Sequence, residues 1–151
     1  MRIIIPLLSL VIFTSTIIHA QDHKLDPVME AYQSALDKYK SSSYAMAYQA
    51  FINLDNCIED KNSLLAMNTD YYKALSAMHL YNSDTEFLLE GFMSDYPNST
   101  LFYEASRNLA DFYFSKRAYI EAVEYYELID ISKLRTKFRS NYKFQYAYSL
   151  F

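Results

Sequence analysis

The stretch "RAYIEAVEYYELI", residues 117–129, decides the fold class because it has the pattern of an amphipathic helix with a small residue at its centre. Tyr119, Ala122 and Tyr126 recur at intervals of three and four residues, so they share one face of the helix. A methyl group at position 122 allows a neighbouring helix to come close, while the two rings fill the grooves beside it. The stretch therefore predicts a helix that packs tightly against another helix.

The same spacing of apolar residues continues along the chain and predicts seven helices joined by short, mostly polar connections. Asp26 is the expected N-cap of the first helix, with Pro27 at its first position. Ser43 is expected to cap the second helix, and Ser83 and Glu86 have capping-box spacing before the fourth. The predicted packing residues are Tyr32, Leu36, Ala47, Phe51, Leu75, Phe92, Leu109, Ala110, Tyr113, Tyr119, Ala122 and Tyr126.

The composition excludes several other classes of protein. The 151 residues include sixteen Tyr and ten Phe but only one Gly and three Pro, too few turn residues for a β-sandwich or a phosphate-binding glycine loop. The net charge of −4 becomes −5 if residues 1–20 are removed, since they contain Arg2 and no acid. An acidic surface is repelled by nucleic acid, so we expect no nucleic-acid partner.

Helices taken in pairs show a repeat. Matching residues of the second helices are separated by 41 and then 34 residues, and a helix-pair period near 34 is typical of an α-solenoid. The predicted fold is therefore an all-α solenoid of about three and a half antiparallel helix pairs. The matched residues are Ala47 and Phe51, Leu88 and Phe92, and Ala122 and Tyr126 in the second helices, and Tyr32-Leu36-Tyr39, Tyr72-Ser76-His79 and Ser106-Ala110-Tyr113 in the first.

Residues 103–136 resemble a tetratricopeptide (TPR) repeat. Leu109, Ala110, Tyr113, Tyr119, Ala122, Tyr126 and Ile129 fall where that family places its packing residues, although Leu134 stands where the family often has Pro. The stretch "DYPNS", residues 95–99, resembles the turn between repeats in exported TPR proteins of the bacterial envelope. The resemblance implies a TPR-like array over residues 28–151 and a role in binding other proteins.

The resemblance also implies a recognition surface. In TPR arrays the first helix of each pair lines the concave face, and side chains between the packing positions point into it. The five acids and two bases among the corresponding residues would suit a basic or polar extended segment, although a merely solvated face remains the alternative. These candidate partner-binding residues are Glu30, Gln33, Asp37, Asp70, Lys73, Ala77, Glu104, Arg107 and Asp111.

The N-terminus has the layout of a secretory signal peptide. Arg2 is followed by an apolar run over residues 3–18 and then by Ala20, a small residue suited to cleavage. The run is shorter than the ~20 residues that span a bilayer comfortably, although an uncleaved anchor is the alternative. We predict a signal peptide over residues 1–20, a tail over 21–27, and a periplasmic or outer-membrane-associated protein without the cysteine that lipid anchoring requires.

No pattern predicts catalysis, a metal site or a cofactor. The three histidines and the single Cys57 lack metal-ligand spacing, and no serine lies in a nucleophile elbow. His79 is expected to be a packing or surface residue, and Cys57 a small buried residue near a helix end. We therefore expect a protein that is not an enzyme and has neither metal nor cofactor.

The last helix, from about residue 137, carries apolar residues and no polar capping helix follows it. Two interpretations are open: the 151 residues are a fragment of a longer protein, or this helix docks onto a partner or onto a second copy. For the function, we predict a scaffold that binds envelope assembly or secretion components. The alternatives are a helper region of a longer enzyme or receptor, and a protein that binds glycan or peptidoglycan through exposed tyrosines.

Overall fold

The computed structural model of the protein describes residues 26–151, which fold into seven α-helices without a strand. The all-α class and the seven helices predicted from the sequence are confirmed. The predicted signal peptide, residues 1–20, and most of the predicted tail, residues 21–27, lie outside the described residues. The helices are α1 (Pro27–Lys40), α2 (Tyr44–Asp55), α3 (Leu64–His79), α4 (Thr85–Asp95), α5 (Phe102–Ser115), α6 (Tyr119–Glu127) and α7 (Thr136–Ser149).

Polar caps explain where α1 and α3 begin. The Asp26 carboxylate accepts a hydrogen bond from the Val28 amide at 3.0 Å, and Pro27 is the first helical residue, as the sequence predicts. Ser63 Oγ accepts a hydrogen bond from the Ala66 amide at 3.1 Å. This cap starts α3 at Leu64, about two turns before its predicted apolar stripe.

The starts of α2 and α4 differ from expectation. Ser43 precedes α2, but its side chain makes no capping hydrogen bond. The capping box predicted from Ser83 and Glu86 is wrong, because the N-cap of α4 is Asp84. The Asp84 carboxylate accepts a hydrogen bond from the Tyr48 hydroxyl, so this residue links the start of α4 to α2.

Each helix packs against the next one in sequence, and α1, α3, α5 and α7 also contact one another in that order. We call α1–α2, α3–α4 and α5–α6 the first, second and third helix pairs. Tyr39 and Tyr72 pack against both hydrophobic clusters, one centred on the first pair and one on the remaining helices. The seven helices therefore share a continuous core.

The first helix of each pair ends in the same way. Ser42, Tyr81 and Arg117 have positive φ angles of 60°, 55° and 61°, the left-handed conformation that ends many helices. The next amide in each case donates to a carbonyl five residues back, and these recurring bonds mark equivalent points in the three pairs. The bonds are Ser43 N to Lys38 O at 2.9 Å, Asn82 N to Ala77 O at 3.0 Å, and Ala118 N to Tyr113 O at 3.0 Å.

Small residues recur in register with these helix ends. Ala35, Ala74 and Ala110 are completely buried and lie 39 and then 36 residues apart, the same intervals that separate Ser42, Tyr81 and Arg117. A buried methyl group lets adjacent helices approach closely. A buried triplet with spacing four and then three recurs in the second half of each pair, at intervals of 38 and 37 residues; its last member in the third pair lies just beyond the end of α6. The triplets are Ala47-Phe51-Leu54, Thr85-Leu89-Phe92 and Ala122-Tyr126-Ile129.

These intervals correct the alignment made from the sequence. The sequence pattern matches Leu88 to Ala122, but Leu88 is only half-buried, and Thr85 is the small buried residue of α4. Among the predicted packing residues, Leu36 and Tyr119 are half-buried. The structure buries the other ten, which are Tyr32, Ala47, Phe51, Leu75, Phe92, Leu109, Ala110, Tyr113, Ala122 and Tyr126.

Candidate functional site

The three candidate residues of α1 lie together on an exposed surface. Glu30, Gln33 and Asp37 follow one another at intervals of three and four residues and line a depression of about 680 Å³. Asp37 lies 3.9 Å from the Lys40 ammonium, but both side chains are well exposed, so this contact adds little stability. The α1 residues are therefore available to a partner.

The candidate residues Asp70 and Lys73 of α3 lie in a different groove. Lys73 Nζ is 2.7 Å from Asp70 and 2.6 Å from Asp55 at the end of α2, and its side chain is only 14% exposed. Tyr96 donates a hydrogen bond to Asp70 at 2.9 Å. We call the cleft between α3 and α4 around these residues the second-pair groove; its walls include Phe87, Leu88, Gly91, Phe92 and Asp95.

Two opposing effects act on the pKa of Lys73. Burial by itself would lower it, but the hydrogen bonds to Asp55 and Asp70 outweigh burial and leave the pKa raised. Lys73 therefore stays positively charged, with its charge already neutralised inside the chain. It does not offer a free cation to an anionic ligand.

Ala77, the third candidate of α3, cannot contact a partner in this fold because it is completely buried. The error comes from the alignment of α3 with α5. The intervals of the structure match Asp111 to Leu75 and Ala77 to Tyr113, a packing position. The candidates on α3 were therefore placed about half a turn away from those on α5.

The α5 candidates Glu104 and Arg107 are buried beneath the N-terminal end of α7. Glu104 forms an ion pair with Arg135, and the Arg107 guanidinium lies 4.1 Å from the centre of the Phe138 ring. Arg107 also donates to Asn108, which donates to the Tyr71 hydroxyl at 3.2 Å. These side chains join α3, α5 and α7 rather than face an open groove.

Asp111, the last candidate, belongs to the same polar network. It forms an ion pair with Arg107 and accepts a hydrogen bond from the Tyr126 hydroxyl at 2.8 Å. Burial raises the pKa of Asp111, and Arg107 and Tyr126 oppose this effect without reversing it. Tyr126 also contacts Gln145 of α7 at 3.2 Å, so the network has a structural role at the junction of α5, α6 and α7.

The intervals of the structure identify the residues equivalent to Glu104, Arg107 and Asp111 in the other pairs. In α3 they are Asn68, Tyr71 and Leu75, and in α1 they are Met29, Tyr32 and Leu36. The residues at these equivalent positions are mainly apolar in the first two pairs and charged in the third. The sequence pattern does not reveal this equivalence, because the residues that end the first helices and set the intervals are not glycines.

His79 lies in an aromatic cluster between the first and second pairs. Its ring stacks on Tyr44 with centroids 4.1 Å apart, and Nε2 lies 3.4 Å from the Tyr39 hydroxyl. Burial lowers the His79 pKa, and within residues 26–151 no carboxylate contacts the ring to orient it as a general base. The cluster therefore joins the two pairs through packing.

Cys57 is exposed, which corrects the expectation that it is buried. It lines an apolar cleft of about 390 Å³ between α1 and α2, together with Ala31, Ser34, Asn53 and Leu54. We call this cleft the first-pair groove. Cys57 lies two residues beyond the end of α2 at Asp55, in the connection to α3.

Metal sites and membrane-spanning helices are two other classes of feature, considered for the part of the chain that the structure describes. No group of three or more His, Cys, Asp or Glu side chains there could hold a metal ion. None of the seven helices combines the length and the hydrophobicity that a membrane crossing needs. The α1 depression and the two grooves offer surfaces for non-covalent binding.

Comparisons with protein-family models, with curated proteins and with solved structures found no match.

Proposed function

We propose that the chain is a non-enzymatic scaffold that binds other proteins through a TPR-like α-solenoid. The observation that carries the proposal is the repeated helix pair, with its left-handed helix end, buried alanine and four-then-three triplet at matching intervals. Stacked helix pairs present long surfaces to partners, because each pair contacts only its neighbours. The contacts among α1, α3, α5 and α7 support such a stack.

The α1 depression is the proposed partner site on the first helices. Glu30 and Asp37 give it negative charge, and Gln33 between them offers an amide that can donate and accept hydrogen bonds. This chemistry fits a basic or polar extended segment of a partner. The candidates on α3 and α5 already have partners inside the chain, so they contribute less to the proposed surface.

Affinity capture tests this proposal. The protein would be used as bait in a cell-envelope extract, beside a variant with Glu30, Gln33 and Asp37 changed to Ala. The matched control replaces the exposed acids Glu121 and Glu124 of α6, which removes the same charge elsewhere. We expect the α1 variant to lose partners that the control retains. Identical partner lists for all three proteins would contradict the α1 site, and empty lists would contradict the scaffold.

We also propose that the protein is exported and that residues 1–20 are removed as a signal peptide. The support is the sequence alone, with Arg2, the apolar run and Ala20 in the expected order. N-terminal sequencing of protein isolated from the envelope should begin at Gln21. Recovery of the intact N-terminus from the cytoplasm would contradict export.

Self-association through α7 is a second proposed interaction. Phe144 and Tyr148 of α7 and Leu150 directly after it are each more than half exposed, and neighbouring apolar side chains of this size favour association. Sedimentation velocity should show a concentration-dependent dimer that disappears when Phe144 and Tyr148 are changed to Lys. A monomer at all concentrations would contradict the proposal.

A further inference from the structure

The second-pair groove is continuous with a larger polar cleft at the ends of α2 and α4. The groove has a volume of about 180 Å³ and the cleft about 510 Å³, and both are lined by Asp70, Lys73 and Asp95. One end is therefore apolar, at α4, and the other is charged. A peptide segment that lies along both parts would contact apolar side chains at one end and charged side chains at the other.

Gly91 leaves the apolar end of this groove open. It is the single glycine of the 151 residues and lies inside α4, where glycine is less favourable than alanine. A Cβ placed on Gly91 would meet no atom within 4 Å, so packing within the described residues does not require glycine there. The equivalent residues, Asn53 of α2 and Leu128 beside the end of α6, carry side chains. Glycine at this place permits another backbone to approach α4.

Phe87 lies one turn before Gly91 on the same wall of the groove. Its side chain is 76% exposed, which leaves a large aromatic surface in water. Aromatic side chains at the edge of an open groove are frequent anchors for a partner. The apolar end of the groove therefore offers both space and a ring against which a nonpolar side chain can pack.

The charged part of the groove favours a cation. Three carboxylates, from Asp55, Asp70 and Asp95, lie there with two ammonium groups, from Lys61 and Lys73. Both lysines form ion pairs with Asp55, and Lys73 also pairs with Asp70. Within residues 26–151, Asp95 has no ion-pair partner, and it lies one turn after Gly91. An incoming Lys or Arg would complete this arrangement.

We propose that the second-pair groove binds an extended segment of a partner protein, in which a Lys or Arg pairs with Asp95 and a neighbouring nonpolar side chain packs beside Phe87 over Gly91. The inference rests on the proposed scaffold function and adds a second binding site, separate from the α1 depression. Negative charge selects the basic residue, and the gap at Gly91 admits the backbone of the segment.

A displayed library of random twelve-residue peptides would be selected against the 151-residue chain, and enriched peptides would be synthesised for titration. We expect a basic residue next to a nonpolar one in the enriched peptides. Changing Gly91 to Trp should weaken binding at least about tenfold, because the ring fills the groove. The control, Ser94→Trp, places the same ring on an exposed position of α4 outside the groove and should bind as the parent does.

A charge reversal makes the test independent of any effect of Trp on folding. Asp95→Lys should disfavour the basic peptides and enrich acidic ones in a new selection. The groove assignment is overturned if no peptide is enriched, if the parent protein selects acidic peptides, or if both Trp variants and Asp95→Lys bind alike. Capture that depends on Glu30, Gln33 and Asp37 in the envelope extract would still support the scaffold in those cases, so the two proposals can fail separately.

Discussion

The first-pair groove and the second-pair groove occupy equivalent places in their helix pairs, yet their linings differ. At intervals of 38 or 39 residues, Ser34 is replaced by Lys73, Asn53 by Gly91 and Cys57 by Asp95. The first groove is apolar with an exposed thiol, and the second has a charged floor and an open wall. The difference shows that one helix-pair backbone accepts either lining, provided that a buried charge such as Lys73 has partners of opposite sign.

Removing the Lys73 ammonium should have the largest effect on stability among the substitutions in the two grooves. In Lys73→Met, the Asp55 and Asp70 carboxylates would lose the ammonium that neutralises them in a partly buried place. We expect the free energy of unfolding to fall by about 2 kcal/mol, measured by urea denaturation. The equivalent change in the first-pair groove, Ser34→Ala, should alter it by less than about 0.5 kcal/mol. Equal effects of the two changes would show that the charged floor does not stabilise the second pair.

The two grooves should also differ, to a smaller extent, in how acid pH affects the stability of the protein. Burial alone would raise the pKa of Asp55, but hydrogen bonds from Lys61 and Lys73 outweigh it and lower the pKa. A lowered folded pKa gives stability that is present above the unfolded value, about 3.9, and is lost as the pH falls through the folded value. Asp55→Asn should therefore make the free energy of unfolding fall less steeply as the pH is lowered, in urea denaturations repeated across the acid range.

Asp37→Asn is the matched control for this titration, because Asp37 carries the same group on the exposed surface of α1. This variant removes one carboxylate from a contact that adds little stability. Parallel curves for Asp55→Asn and the parent would contradict the assigned ion pairs.

Filling the gap in the second-pair groove should stabilise the protein. Gly91→Ala adds a methyl group with no neighbour within 4 Å, so it should raise the free energy of unfolding by about 0.5–1 kcal/mol. Asn53→Ala, at the equivalent position of α2, loses the side-chain hydrogen bond that Gln49 donates to Asn53, so it should gain less stability. Urea denaturation measures both. A destabilised Gly91→Ala would reveal a close neighbour at that wall.

The smallest effect is expected at Cys57, which is equivalent to Asp95 of the second-pair groove. Cys57→Asp should change the free energy of unfolding by less than about 0.5 kcal/mol, since the side chain is exposed. A thiol reagent should also modify Cys57 in the folded parent protein. A fall in the free energy of unfolding several times larger than this limit would contradict the exposed position. So would a thiol that the reagent modifies only after the protein unfolds.

The helical class was predictable because the apolar spacing is local, and Asp26 with Pro27 marked the first helix for the same reason. The alignment of the second pair was not predictable. Leu88 and Leu89 are adjacent and identical, so spacing could not show that Leu89 is the buried one. Thr85 occupies the buried position that alanine occupies in the other pairs. Because threonine is polar, its residue type does not predict a buried packing role.

The grooves could be predicted only in part. The sequence pattern predicts Lys73 as a surface residue, but its partner Asp55 lies 18 residues away on another helix. A pairing over that distance depends on how α2 meets α3, which the sequence pattern does not encode. Glu104 and Arg107 were misplaced for a related reason, because Arg135 and Phe138 cover them from α7.

Ser42, Tyr81 and Arg117 have a consequence for the unfolded chain. A residue with a side chain in the left-handed conformation is strained by about 1 kcal/mol, and glycine would relieve the strain at each reversal. Glycine would also increase the backbone freedom that must be lost on folding. With side chains at all three reversals, the molecule accepts local strain in its native state and begins to fold from a stiffer ensemble of conformations.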